Sequence, residues 1–226
     1  MAVLSDGRLI EFIAAKRLKI DPFILGNVQP ASIDLRLDAM IKTFKAGCSL
    51  TPEENNEDSF VSINIEEEYW LRPGEMILGQ ILEEIAIPRE CNAHIHNRSS
   101  LARLGLDVGS ASYINPGYAG HLPVVIKNGG PLPVKLVSGL RICQMELVDV
   151  EPTPVRDYSQ RKDTKYFGEV NSLVSKIHLD TEIQDFHRER AGNETLSNFL
   201  SREIKRRGKK IVDEMPEDLK KDLGLL

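Results

Sequence analysis

The order of hydrophobic and polar positions divides the chain into three parts. Between residues 5 and 18, apolar side chains recur at helical spacing behind Ser5, a residue type favoured as a helix cap, which predicts an N-terminal helix. From about residue 28 to residue 150, short apolar runs alternate with Gly, Pro and Asn, and several have the period of two that half-buried strands show. The runs are Ser32–Leu37, Val61–Ile65, Met76–Leu82 and Val134–Val137. Many short strands with few helices predict a mainly β fold, either a barrel or a sandwich.

The last part of the chain returns to helical spacing. Its apolar residues Leu196, Phe199, Leu200, Ile204 and Ile211 form a stripe that some surface must cover, on this protein or on a protein partner. Residues 201–210 carry mostly basic side chains. These could bind nucleic acid, but the solvated face of an amphipathic helix is the commoner outcome for such a run.

Composition narrows the class of protein. The chain has 226 residues, 41% of them hydrophobic, which is enough for a sizeable core, and its net charge of −5 gives no general attraction to nucleic acid or anionic lipid. No apolar run approaches the roughly 20 residues of a membrane-spanning helix, and the first ten residues lack the apolar stretch of a signal peptide. Three widely spaced cysteines are expected to be free thiols. We therefore expect a cytoplasmic protein without a membrane anchor.

Two histidines raise the question of a metal site. His94 and His96 share one face of a predicted strand, close to Cys91, but two histidines alone do not make a zinc site. The His-x-Glu and Pro-Cys-x-x-Cys halves of the zinc-deaminase signature are absent from the sequence, as are the phosphate-binding loop of P-loop proteins and the nucleophile elbow of α/β-hydrolases. We expect structural or surface roles for these histidines, and no zinc.

The segment after this strand is a better candidate for chemistry. Residues 97–106 place two arginines, Arg98 and Arg103, and two hydroxyls, Ser99 and Ser100, within six residues. A guanidinium offers a planar fork of donors that matches phosphate oxygens, and hydroxyls add short hydrogen bonds. The alternative interpretation is the start of an ordinary amphipathic helix with exposed charges.

The same residues carry a resemblance to a known family. The sequence Arg98–Leu106, R-S-S-L-A-R-L-G-L, resembles the signature of the dCTP deaminase family, within the dUTPase-like superfamily. Further family motifs resemble four segments in the same order: Gln29–Leu37, Tyr113–Gly120, Asp157–Tyr158 and Asp163–Gly168. The resemblance covers roughly residues 3–178, and it predicts a family domain over residues 1–180 followed by a C-terminal helical extension over residues 181–226.

The resemblance implies both a fold and an activity. The fold would be a distorted β-barrel or jelly roll that assembles as a homotrimer, with nucleotide sites between subunits and Mg²⁺ bound with the triphosphate. The activity would be zinc-free hydrolytic deamination of dCTP to dUTP, and in some relatives cleavage of dUTP to dUMP. Carried over by position, the substrate-binding residues would be Arg98, Ser99, Ser100, Leu101, Ala102, Arg103, Asn115, Tyr118, Val124, Val125, Tyr158, Lys165 and Glu169, and the catalytic ones Ser99, Arg103 and Asn115.

The chain departs from the family pattern where the resemblance places the chemistry. The family's catalytic glutamate falls on Val125, which can neither accept nor donate a proton. The family's aspartate falls on Asn115, which keeps the size and loses the charge. Glu169 stands where the family commonly has glutamine, and a carboxylate beside a triphosphate is unfavourable unless a metal or Lys165 compensates.

Three hypotheses follow from these departures. The chain is an active dCTP deaminase or dUTP-cleaving enzyme whose base comes from elsewhere, for example from Glu169 or a neighbouring subunit. Alternatively, it is a catalytically degenerate homologue that binds a deoxynucleotide in a regulatory or structural role. The third hypothesis is a trimeric protein that has lost the nucleotide, and the retained polar groups of residues 98–103 argue against it. Pyrimidine deoxynucleotide metabolism is the description that the first two share.

Overall fold

The computed structural model describes residues 2–109, 113–161, 164–168, 173–185 and 221. The chain forms two compact units. The larger unit consists of Met1–Leu50 and Asn56–Ser175, and the smaller one of Thr51–Asn55 and Lys176–Leu226.

The larger unit is mainly β, as the sequence predicts. Its described residues form two α-helices, α1 (Asp6–Ala14) and α2 (Ser99–Ala102), and three short 3₁₀ turns (Leu25–Asn27, Glu57–Ser59 and Tyr158–Gln160). The strands are β1 (Lys19–Asp21), β2 (Val28–Gln29), β3 (Ser32–Arg36), β4 (Met40–Phe44), β5 (Phe60–Asn64), β6 (Tyr69–Leu71), β7 (Met76–Ala86), β8 (Cys91–Asn97), β9 (Leu106–Val108), β10 (Tyr113–Ile114), β11 (Ala119–Asn128), β12 (Val134–Leu136) and β13 (Arg141–Asp149).

The strands pair into two main antiparallel sheets. One sheet has the order β5-β4-β7-β11-β9, with β1 also pairing with β7, and the other has the order β10-β8-β13-β3-β2. A third, small sheet pairs β12 with β6. The described strands do not close into a barrel, so of the two predicted arrangements the jelly-roll sandwich is the one observed.

The core lies beneath the alternating positions of the long strands. In β11, for example, Gly120, Leu122, Val124 and Ile126 are buried, whereas the residues between them are partly exposed. The predicted N-terminal helix is confirmed and packs Leu9 and Phe12 into this core. It ends before residue 18, because Lys16 adopts a left-handed conformation that a helix cannot continue through.

The smaller unit is described in part. Its described residues include a 3₁₀ turn at Ile177–Leu179 and a short helical segment at 181–185. The apolar stripe from Leu196 to Ile211, which predicts the helical extension, lies outside the described residues. Within the described ranges, no helix is long and apolar enough to cross a bilayer.

Candidate functional site

The connection between β8 and β9 presents the hydroxyl and guanidinium groups that the sequence singles out. We refer to residues 98–103 as the anion loop. In its short helix α2, the N–H groups of Leu101 and Ala102 donate to the carbonyl oxygen of Arg98. Leu101 points into the core, whereas Ser99, Ser100 and Arg103 are exposed. The buried leucine therefore anchors the loop, and the polar side chains face solvent.

The far end of this connection is fixed by close backbone packing. The side-chain amide of Asn97 donates to the carbonyl oxygen of Leu106 at 2.7 Å, which joins the two strands that the loop connects. The N–H of Gly105 donates to the carbonyl oxygen of Ala102, an exposed residue, at 3.0 Å. Gly105 has a φ of +89°. A Cβ atom on Gly105 would lie 2.5 Å from Cα of Gly130. The glycine of the R-S-S-L-A-R-L-G-L motif is thus required by both backbone conformation and space.

Arg98 is held by contacts on two other strands. Its Nη1 donates to the carbonyl oxygen of Arg141 at 3.0 Å, and its Nη2 lies 3.4 Å from Oδ2 of Asp34. Arg141 donates from its own Nη1 to the same Asp34 oxygen at 3.1 Å. Asp34 is 2% exposed, so its charge needs compensation, and two guanidiniums supply it. Part of the donor capacity of Arg98 therefore goes into fixing the start of the anion loop.

A second ion pair, between the partly buried Arg36 and the buried Glu83, lies in the same region. Arg36 donates from Nε to the carboxylate of Glu83 at 2.7 Å and from its backbone N–H at 3.0 Å. Burial raises the pKa of the Cys143 thiol to about 12, with further raising by the Glu83 and Asp34 carboxylates and an opposing effect of Arg98. The thiol of Cys143 is thus protonated and surrounded by these charges.

The turn between β10 and β11 carries the Asn-Pro-Gly sequence. Its N–H at Tyr118 donates to the carbonyl oxygen of Asn115 at 3.2 Å. Gly117 has a φ of +78°, and a Cβ there would lie 2.8 Å from Cγ of Asp157. Asp157 is buried and accepts a hydrogen bond from the hydroxyl of Ser159 at 2.6 Å. The C-terminal segment of the family-like region thus packs directly on the Asn115 turn.

Aromatic rings join the same two segments. The ring centres of Tyr118 and Tyr158 lie 5.9 Å apart, and those of Tyr158 and Phe167 lie 6.4 Å apart. Tyr118 is buried and its hydroxyl donates to the carbonyl oxygen of His121 at 3.1 Å, so it supports the turn from inside. Tyr158 and Lys165 are partly exposed, whereas Glu169 lies outside the described residues.

Strand β11 places its two valines on opposite faces. Val124 points into the core, and Val125 points outward. Val125 pairs with Leu78 of β7 on one side and accepts a hydrogen bond from the N–H of Gly109 at 3.2 Å on the other. A contribution of Val124 to a ligand would have to come from its backbone, since its side chain is in the core.

The anion loop and the Asn115 turn lie at opposite ends of β11. The Asn115 turn immediately precedes the first residue of β11. At the other end, Gly129 directly follows the strand, and its N–H donates to the carbonyl oxygen of Gly105, just after the anion loop, at 2.8 Å. Ten residues of strand span about 30 Å. The two ends of the anion loop therefore differ in their separation from the turn: Gly105 is a full strand length away, whereas Arg98 lies five residues along β8 from Ala93, the partner of Ile114, which is about 16 Å.

The histidines have structural surroundings. The ring of His94 packs edge-on against Tyr113 and lies 3.0 Å from the side-chain amide of Asn92, and His96 lies 3.5 Å from Glu146. In the part of the chain that the structure describes, no three His, Cys, Asp or Glu side chains are grouped so that they could hold a metal ion.

Comparison with known families agrees with this geometry. Residues 3–150 match the family model described as dCTP deaminase-like. The chain belongs to the dCTP deaminase-like family. The matched range contains both main sheets, the anion loop and the Asn115 turn.

Curated relatives extend the match beyond that range. The dCTP deaminase (dUMP-forming) of Nanoarchaeum equitans is 35% identical over 197 residues, which cover 79% of this chain and 98% of the relative. The dCTP deaminase of Haloarcula marismortui is 34% identical over 190 residues, which cover 80% of this chain and 97% of the relative. These two members of the family are therefore matched over nearly their whole length.

A solved structure supports the fold. The 2'-deoxycytidine 5'-triphosphate deaminase from Agrobacterium tumefaciens superposes with a TM-score of 0.53 at 24% identity, covering 64% of this chain and 46% of that chain. At this level of identity the likeness establishes the architecture and not the details of the site.

For this member of the dCTP deaminase-like family, the structure adds two residues to those expected from sequence. Asp34 and Arg141 contact Arg98 from strands that are far from the anion loop in sequence. The signal for Asp34 is a carboxylate between two core residues of a strand, Ile33 and Leu35. Arg141 gives no sequence signal that separates it from other exposed arginines.

Proposed function

We propose that the protein binds a pyrimidine deoxynucleoside triphosphate, dCTP or dUTP, and acts in pyrimidine deoxynucleotide metabolism. The anion loop carries this proposal: Ser99, Ser100 and Arg103 are exposed on a backbone that is anchored at both ends. Hydroxyls and a guanidinium are donors that match phosphate oxygens. Relatives named dCTP deaminase support the choice of nucleotide.

We also propose that the protein is a homotrimer with its nucleotide sites between subunits. The family resemblance, which implies a homotrimer with sites between subunits, supports this assembly. Within one chain Arg98 and the Asn115 turn are separated by about 16 Å of strand, and a neighbouring copy would bring such a loop and turn together. The expected location is the cytoplasm, in keeping with free cysteines and a nucleotide substrate. Light scattering that gave the mass of a monomer would contradict the trimer.

Magnesium fits this site as part of the ligand. Mg²⁺ is commonly bound through substrate phosphates and water, with few protein carboxylates. The buried carboxylate beside the anion loop, Asp34, is engaged by Arg98 and Arg141. The oxygens of the triphosphate would therefore be the groups that hold Mg²⁺ at the site, and the ion would neutralise part of their negative charge.

The chemistry of deamination is where the chain departs from its family. Water that attacks C4 of cytosine must lose a proton to a base, and the ring and the departing ammonia must receive protons from an acid. By resemblance, the glutamate that exchanges these protons in the family falls on Val125. This residue faces outward between Leu78 and Gly109 and has no titratable atom. We infer that triphosphate binding is retained and that deamination is reduced by about 10²–10⁴-fold. This observation favours the second candidate, a nucleotide-binding homologue with a regulatory role.

Binding is tested by removing the exposed guanidinium of the anion loop. Arg103→Ala should weaken binding of dCTP or dUTP by about 1.5–3 kcal/mol, the range for a charged hydrogen bond. Isothermal titration calorimetry with Mg²⁺ measures this loss. Arg8→Ala, which removes an exposed arginine of α1, is the matched control. Equal affinities of the wild type and Arg103→Ala, or no binding by the wild type, would overturn the proposal.

Turnover is tested by restoring the missing carboxylates. The double variant Val125→Glu, Asn115→Asp should release ammonia from dCTP faster than the wild type, because it regains groups that exchange protons with water. Val125→Gln with Asn115→Asp is the control: it keeps the restored aspartate and matches the size of the glutamate without its carboxylate. Chromatography of the products from dCTP and dUTP identifies the reaction. A wild type that already turns over at about 1–10 per second would show that another base exists.

A further inference from the structure

We propose that Arg141 is a further phosphate-binding residue of the anion loop, held in position by Asp34. The inference rests on the proposed function, since it assigns another contact to the same triphosphate. It is carried by the arrangement of two guanidiniums around one carboxylate oxygen.

The charges at this point do not balance. Nη2 of Arg98 and Nη1 of Arg141 lie 3.4 Å and 3.1 Å from the same oxygen of Asp34. One guanidinium neutralises one carboxylate, so the second leaves a unit of positive charge. The neighbouring Arg36–Glu83 pair is neutral and does not cancel it. Within the described part of the chain, this cluster therefore carries three positive and two negative side chains, a net charge of +1.

The excess charge faces the outside on Arg141. Its side chain is 44% exposed, whereas that of Arg98 is 21% exposed. A guanidinium has five N–H donors, and the contact with Asp34 engages the Nη1 side of the group. The exposed remainder has the fork geometry that binds phosphate oxygens in pairs.

The position of Arg141 ties it to the anion loop. Its carbonyl oxygen accepts the hydrogen bond from Nη1 of Arg98 at 3.0 Å, and Arg98 directly precedes Ser99. The strand that carries Arg141 therefore lies against the guanidinium of the residue that opens the anion loop, and we place the proposed phosphate contact between these two arginines. Asp34 limits the rotation of the Arg141 side chain before the ligand arrives, which reduces the entropy lost on binding. In this arrangement Asp34 is a positioning residue and Arg141 a ligand contact.

Arg141→Gln tests the proposal in the full-length protein. Affinities for the Mg²⁺ complex of dCTP and dUTP, and for the corresponding nucleosides, are measured by calorimetry. We expect Arg141→Gln to lower the affinity for the triphosphate by about tenfold, to leave affinity for the nucleoside unchanged, and to reduce the dependence of triphosphate affinity on salt. Arg141→Lys should restore part of the loss.

Arg8→Gln is the matched control, because Arg8 is also an exposed arginine, with a side chain 47% exposed and one carboxylate partner, Glu11. It should leave both affinities unchanged. If Arg141→Gln binds triphosphate as the wild type does, or loses triphosphate and nucleoside affinity equally, Arg141 serves only to neutralise Asp34 and the inference is wrong while the proposed function stands. If the wild type binds neither triphosphate, the proposed function fails and the inference fails with it. If Arg141→Gln does not fold, Arg141→Lys is measured in its place. A lower affinity for the triphosphate with unchanged affinity for the nucleoside supports the inference, because lysine keeps the charge and loses the fork of donors. Unchanged affinity for the triphosphate, or an equal loss for both ligands, overturns it.

Discussion

Replacing Gly105 with alanine tests how the anion loop is held. Gly105 has a φ of +89°, a region that L-residues with a Cβ rarely adopt, which for alanine costs about 1–2 kcal/mol. In addition, the new Cβ would lie 2.5 Å from Cα and 2.6 Å from N of Gly130, which are backbone atoms that no side-chain rotation can move. Overpacking of this kind costs about 1–3 kcal/mol. The expected loss in the free energy of unfolding is therefore about 2–5 kcal/mol.

The surroundings of Gly130 keep it from yielding. Its N–H donates to Oδ1 of Asn128 at 2.9 Å, and the amide group of Asn128 donates to the carbonyl oxygens of Leu71 and Leu132 at 2.9 Å each. Asn128 is fully buried. If the contact is relieved at all, it is relieved by displacement of the anion loop, so Gly105→Ala should also weaken triphosphate binding.

Gly139→Ala provides the matched control for this prediction. Gly139 has nearly the same φ, +81°, but no atom lies within 4 Å of a Cβ placed there. Gly139→Ala should lower the free energy of unfolding only by the cost of placing alanine at a positive φ, about 1–2 kcal/mol. Urea denaturation followed by circular dichroism gives both values. Equal losses in the two variants would refute the reasoning, because the contact with Gly130 would then contribute nothing.

Two further predictions concern titratable groups. Burial raises the pKa values of the Cys91 and Cys143 thiols to about 12, whereas Cys48 is exposed. A thiol reagent at mildly alkaline pH should therefore label one thiol in the native protein and three in urea. Labelling of a second thiol in the native protein would contradict this prediction. The hydrogen bond from Lys19, at 2.5 Å, lowers the pKa of Glu84, so the stability that this pair contributes is present above the ordinary pKa of a glutamate and is lost as the pH falls through the lowered value. Because both side chains are nearly half exposed, Lys19→Gln should lower the free energy of unfolding at neutral pH by about 0.2–1 kcal/mol. At a pH below the pKa of Glu84 in the folded protein, the substitution should leave the free energy of unfolding unchanged. An equal loss at both pH values would show that the charge of Glu84 is not involved.

The sequence predicts the local elements of this protein better than their partners. The apolar runs at residues 32–37 and 76–82 begin where β3 and β7 begin. Burial on both faces of β3, where Asp34 is covered together with Ile33 and Leu35, is not visible in that pattern. The pairing of β3 with β13 joins residues about a hundred positions apart, and no local pattern specifies it. The periodic pattern also does not predict where α1 ends, because the apolar spacing continues to residue 18 whereas the left-handed conformation of Lys16 interrupts the helix.

The candidate site divides in the same way. The exposed side chains of the anion loop follow from its motif, and the outward direction of Val125 follows from the alternation in β11. The inward direction of Leu101 shows that membership of a motif does not mean contact with a ligand. The convergence of Asp34, Arg98 and Arg141 arises only when three strands come together, and for this reason it could not be read from the sequence.

The groups proposed to bind phosphate and the position proposed to have lost the base lie in different parts of this fold. The anion loop is positioned by the core packing of Leu101, the contacts of Arg98 and the fit of Gly105 against Gly130. None of these contacts involves the side chain of Val125, which lies on the outer face of β11. On the proposed assignment, the valine at this position removes a proton acceptor without disturbing the groups proposed to hold phosphate. We therefore expect a variant at Val125 to change the rate of deamination at saturating nucleotide more than the affinity for the triphosphate, and Arg103→Ala to lower that affinity whatever it does to the rate. If Val125→Glu altered triphosphate affinity as strongly as Arg103→Ala does, this separation of the two parts would be wrong.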